Sequence, residues 1–220
     1  MPRRKTLLAI RTRIRKLADA EGNLHVSDAE IDEGVDEVYG DLYHLIAEGY
    51  EAYWQTTHEF TADGSDSYDE PDDHLSTVQL DLVASDGKRT PLKRLRAQER
   101  HIYGGTTGTP EVYALIDDQI FLSPNPSSGD LELLYVPQPP DVTDYDDTDE
   151  LDLVNTYGAQ FVVYGVAALV LAKSESDQRG WLARQQRAEQ KLVEWAATRS
   201  LHDARVPYTD EEPDDGLGGM

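Results

Sequence analysis

The chain has 220 residues, 43 of them acidic and 20 basic, for a net charge of −23, and it contains no cysteine. That size suits one helical domain with a smaller inserted domain. The missing cysteine excludes disulfides, thiolate metal sites and thiol catalysis, and the acidic excess disfavours tight binding to DNA phosphates.

The first predicted helix carries Leu7, Ile10, Ile14 and Leu17, one apolar stripe at helical spacing, and Gly22 and Asn23 are read as its end. Arg3, Arg4, Lys5, Arg11, Arg13, Arg15 and Lys16 crowd this stretch. No secretion signal is read here, because arginines interrupt the segment after the basic start. Ser27 and Glu30 predict a capping box opening a long second helix. Its stripe runs Ile31, Val35, Val38, Leu42, Leu45, Ile46 and on to Tyr53.

A β-rich middle follows. Val78, Leu80 and Leu82 alternate with polar residues, as do Tyr113 and Leu115, Ile120 and Leu122, and Leu131, Leu133 and Tyr135. Asp117-Asp118 predicts a tight turn and Pro124 to Gly129 a wider one, so the last three strands are expected to form an antiparallel meander, closed off by Pro137, Pro139 and Pro140. Lys88, Arg89, Lys93, Arg94, Arg96 and Arg100 make a second basic stretch.

Val154 to Ala172 is apolar nearly all round, which predicts a central helix. Its longest apolar run, Phe161 to Ala172, falls short of a membrane span. Ser176-Asp177 marks a break. The last helix shows Trp181, Gln185, Ala188, Leu192 and Trp195 at three- and four-residue steps. From Thr209 the chain is acidic with a glycine-rich end, the composition of an extended tail.

The expected fold class is α+β. Two split helical hairpins, residues 1–56 and 141–200, close into a bundle around an inserted antiparallel β domain, residues 57–140, and residues 201–220 form the tail. Separated acidic and basic patches allow pairing between neighbouring copies, with plain solvated faces as the bland alternative. Arg outnumbers Lys by 14 to 6, which fits a salt-loving host or a GC-rich genome, and both readings stay open.

Residues that could carry chemistry fail one by one. Gly104 to Pro110 lacks the Gly-Lys-Ser/Thr ending of a phosphate loop and opens no helix. It reads instead as a mobile loop at a subunit contact. No two histidines have zinc spacing. His74 beside Asp72 and Asp73 offers a weak cation site at best, and an exposed acidic loop explains it better. Asp144 and Asp146 open like a calcium loop, but Thr148 and Asp149 break the pattern. Glu48 and Glu51 near Trp54 are the one carboxylate pair considered for glycoside hydrolysis, which requires an apolar pocket. A solvated helix face accounts for them. The expectation is therefore no enzyme, no metal and no cofactor. Arg94, Arg96 and Arg100 near Tyr103 suggest nucleic-acid contact through charge and stacking, or salt bridges to an acidic neighbour, and the second fits the net charge.

The stretch from Pro110-Glu-Val-Tyr113 through Ile120-Phe-Leu-Ser-Pro-Asn-Pro126, then Asp130-Leu-Glu-Leu-Leu-Tyr135-Val-Pro137, resembles the β core of tailed-phage head-to-tail adaptors. Ser27-Asp-Ala-Glu-Ile-Asp32, Tyr68-Asp-Glu-Pro71 and Phe161 to Ala172 resemble the family's flanking elements, with Glu70 standing where the family commonly has leucine. The resemblance implies a dodecameric ring beneath the portal that joins it to the tail or neck proteins. Genomic DNA would pass through without sequence-specific binding, and no membrane would be involved. It implies assembly in the host cytoplasm and a place in the virion neck. It also implies that the C-terminal segment docks on the portal, where Tyr208, Leu217 and Met220 are its apolar anchors. Arg11, Arg15, Arg94, Arg96, Arg100 and Tyr103 are the expected contacts to other subunits or the tail. Two relatives of this reading stay open, an adaptor that also hydrolyses peptidoglycan and a neck stopper or tail-completion protein.

Overall fold

The computed structural model describes residues 4–18, 26–96, 107–173 and 177–203, the last three as backbone only. The protein is mixed α+β. It divides into two compact units, residues 1–50 with 141–220, and residues 51–140.

The first unit holds β1 (Arg4–Thr6), α1 (Leu7–Leu17), α2 (Asp28–Gly49), β10 (Glu150–Asp152), α3 (Thr156–Lys173) and α4 (Arg179–Asp203). Each helix has a local start signal. The Thr6 hydroxyl accepts from Ala9 N–H at the start of α1. Ser27 and Glu30 form the expected capping box, with Ser27 N–H donating to the Glu30 carboxylate at 2.8 Å and Glu30 N–H to the Ser27 hydroxyl at 3.2 Å. The Asn155 side chain accepts from Tyr157 N–H and Gly158 N–H, and Asp177 accepts from Arg179 N–H. These side chains take up backbone donors that a helix start leaves unpaired.

The helices bury the expected stripes. Leu7, Ile10 and Ile14 of α1, and Ile31, Val35, Val38, Leu42 and Ile46 of α2, are buried. Helix α3 packs along α4 and also meets α1 and α2. By length and composition α3 could cross a membrane. Ten of its 18 residues are buried inside the unit, the position of a core helix. Helix α4 buries one narrow stripe, Ala188, Leu192 and Ala196, with Trp181, Gln185 and Trp195 half-buried beside it.

The boundaries differ from the sequence reading in physical ways. Helix α1 stops at Leu17, before Gly22 and Asn23, which lie outside the described residues. Helix α2 ends at Gly49 and a single 3₁₀ turn, Glu51–Tyr53, follows. Helix α3 starts two residues late because Val154 has φ +64°, outside the right-handed helical region. The β1–β10 pair, with Lys5 opposite Leu151, leaves no periodic signal in the sequence, since three-residue strands are too short to show alternation.

The second unit holds two four-stranded sheets. One is ordered β2 (Thr56–Ala62), β9 (Gly129–Pro137), β4 (His74–Val83), β5 (Arg89–Pro91). The other is β3 (Tyr68–Asp69), β8 (Gln119–Ser123), β7 (Val112–Ile116), β6 (Lys93–Arg94). Leu80, Leu131 and Leu133 from the first sheet share a core with Tyr113, Ile120 and Leu122 from the second.

The expected meander is corrected here. β7 and β8 do form a hairpin, and Asp117 (φ +50°) and Asp118 (φ +60°) supply its left-handed turn. β9, however, leaves for the other sheet and pairs with β2 and β4. Pro124 and Pro126 lack the N–H that a continued ladder needs, and β3 takes the free edge of β8. Alternation shows that a strand has a buried face, not which sheet it joins.

Candidate functional site

Helix α1 is held by its own arginines. Arg11 donates from Nε to Asp32 Oδ1 at 2.5 Å and from Nη2 to Asp32 Oδ2 at 2.6 Å. Its Nη1 reaches Asp147. Hydrogen bonding to Asp32 raises the Arg11 pKa against the opposing effect of burial. Arg15 donates to Asp28 at 2.7 Å and to the Val26 carbonyl at 3.0 Å. Its hydrogen bond holds the Asp28 carboxyl below the usual range. Both arginines, expected to face other subunits, thus have partners within the chain.

The remaining expected contacts are not brought together. Arg94 and Arg96 are exposed at and just beyond strand β6. Arg89 forms a bidentate pair with Glu132, at 2.8 and 2.7 Å. Arg100, Tyr103, Tyr208, Leu217 and Met220 lie outside the described residues, as do residues 104–106 of the Gly104–Pro110 loop.

The acidic turn around His74 is more organised than a solvated loop. His74 Nδ1 lies 2.6 Å from Glu70 Oε2, and its Nε2 lies 2.8 Å from the Thr77 hydroxyl. The ring packs on Tyr135 at 5.7 Å between centroids. The Tyr135 hydroxyl donates to Asp73 at 2.9 Å, and Gln138 N–H donates to the Asp73 carbonyl at 2.5 Å. Burial, then the bond to Asp73, push the Tyr135 phenol up to about 12. Glu70 thus braces the His74 ring.

Two charged rows stand on exposed helix faces. Glu33, Glu37 and Asp41 follow one another at four-residue steps on α2, and all are exposed. Arg184, Arg187 and Lys191 do the same on α4 at steps of three and four. Arg184 lies 4.6 Å over the Trp181 ring, a cation–π contact. On α4 the apolar stripe of Trp181, Ala188, Leu192 and Trp195 is the stronger periodic signal and masks the row of cations beside it. The row's own signal is the i, i+3, i+7 spacing of three cations in a chain with few of them. Beside α2, an open groove of about 260 Å³ is lined by Val166, Leu169, Val170, Glu33 and Glu37. At its end Lys173 pairs with Glu30, and that bond, then those from Ser27, pull the Glu30 carboxyl down to about 2.

Reactive geometry does not assemble from the candidates. Glu48 and Glu51 are both exposed. Among the described residues no group of three or more His, Asp or Glu is placed to hold a metal.

Residues 5–209 match the family model described as SU10 adaptor protein, and the chain belongs to that family. Its role is accordingly that of a structural phage adaptor with its place in the virion. No curated protein matches the chain.

Proposed function

We propose that the chain is the ring subunit joining portal to tail, in a dodecameric ring that lines the DNA exit channel. The carrying observation is the adaptor family match over residues 5–209. The net charge of −23 supports the channel role, because an acidic wall lets DNA slide without adhering. In this reading the two helical hairpins close as one bundle that builds the ring wall. Residues 201–220 dock on the portal through Tyr208, Leu217 and Met220. Arg94, Arg96, Arg100 and Tyr103 meet acidic faces of the tail or of neighbouring subunits, while Arg11 and Arg15 act within the subunit.

Negative-stain imaging of the purified chain, alone and with portal, tests the ring. The expected result is a monomer alone and a closed ring with portal, since mutual repulsion resists closure without a template. A chain that remains monomeric beside assembled portal overturns the proposal. Deleting residues 207–220 is expected to abolish joining of heads to tails, and joining that survives the deletion overturns the docking role.

A further inference from the structure

The two charged rows differ in what they face. On α4, Gln185 lies against Gly165 of α3, where Val38 of α2 also packs, and Ala196 lies against Gly49, so that side of α4 meets α2. Arg184 instead leans toward Tyr164 of α3, and Arg187 and Lys191 follow on the same flank by helical spacing. Among the described residues no ion pair joins Glu33, Glu37 or Asp41 to Arg184, Arg187 or Lys191. Lys191 pairs locally with Glu194.

The rows are matched in length and sign. At 1.5 Å per residue the acids span about 12 Å and the bases about 10 Å. Glu33 and Glu37 border an apolar floor, where Leu169 is 41% exposed, while Asp41 lines a separate groove beside Gln185 and Glu189 of the same chain. The basic row lies beside half-buried Trp181. Arginine stems can cover apolar surface while their heads reach carboxylates, and Trp and Arg are the residues that anchor interfaces.

We infer that the α2 row and its Leu169 groove receive the Arg184–Arg187–Lys191 flank of α4 from a second copy of this chain. The contact is head-to-tail, each copy giving one surface and receiving on the other, and such an interface forms a ring when its rotation closes. Charge complementarity selects the occupant. With 43 acidic and 20 basic residues, cationic flanks are few, and they are what an acidic groove on a neighbouring copy can recruit. This inference rests on the ring reading above.

The test uses the full chain assembled with portal. Arg187→Glu, an exposed change whose fold is checked by circular dichroism, is expected to lower the ring fraction about tenfold or more. Glu37→Arg combined with Arg187→Glu restores the pair with reversed signs and is expected to recover most of the rings. The native chain has no cysteine, so Glu37→Cys with Arg187→Cys gives a clean pair for a short bismaleimide, expected to produce a ladder of linked copies. Rings that ignore the charge reversal, or that form without the ladder, overturn this interface and leave the ring reading standing. Links to portal instead of a second copy overturn it as well. A native chain that forms no ring in any mixture overturns both.

Discussion

Arg11 and Asp32 show how much a single pair can carry. Their side chains are 14% and 12% exposed. Truncating one leaves the other charge partly buried with no equivalent partner, and that costs more than the pair itself contributes. Arg11→Ala is therefore expected to lower stability by about 2–3 kcal/mol in urea unfolding. Arg11→Leu with Asp32→Leu is expected to recover most of that loss, since two apolar side chains leave no orphan charge. A double variant as unstable as the single one argues against this account. Tyr135 carries a pH signature. Its phenol is raised from the usual 10.0 to about 12, so the folded state holds a proton that the unfolded state releases earlier. The resulting stabilisation is complete below about pH 10 and lost as pH climbs toward 12. Tyr135→Phe is expected to cost about 1 kcal/mol at neutral pH and to flatten that part of the alkaline unfolding curve.

At the scale of elements, two glycines in neighbouring helices are expected to respond in opposite directions to one added methyl. A Cβ on Gly158 would sit 2.1 Å from the Leu153 carbonyl oxygen, which is backbone and cannot step aside. On Gly40 it would meet nothing within 4 Å. Gly158→Ala is expected to lose about 2 kcal/mol or more, while Gly40→Ala gains about 0.5–1 kcal/mol from helix propensity. Thermal unfolding of both variants checks the pair. The Gly158 constraint comes from a turn the sequence does not announce. Val154 enters the left-handed region there, and a β-branched residue is a poor indicator of such a turn. Helix starts were legible because Ser27, Glu30 and the apolar spacing are local signals. The destination of β9 was not, because its partners β2 and β4 lie far away in sequence and alternation is silent about them. The candidate site was legible only in part. Arg11 and Arg15 were visible as cations, but Asp32 reads as one acid among many until the fold places it beside Arg11. The α4 row needed the opposite inference, from scattered cations on a stripe-bearing helix to one flank.

The whole molecule is governed by its charge of −23. Like charges spread over a surface repel over long distances, whereas the internal pairs of Arg11, Arg15 and Arg89 act over a few ångströms. Salt distinguishes these, because screening sets in beyond about 10 Å at 0.1 M and leaves partly buried contacts largely intact. Added NaCl should therefore relieve repulsion first. The urea midpoint is expected to rise from low salt to a few tenths molar, then level off once the Debye length falls to a few ångströms. A GC-rich origin for the arginine bias predicts that plateau. A salt-loving host predicts continued gain into molar salt, so the shape of one titration separates the two. Ring yield with portal is expected to follow a different curve. It rises over the same first interval as copies stop repelling, then falls at higher salt as the exposed α2–α4 pairing is screened. A yield that climbs steadily into molar salt would mean that apolar burial, at Leu169 and its surroundings, outweighs the charge rows in closing the ring.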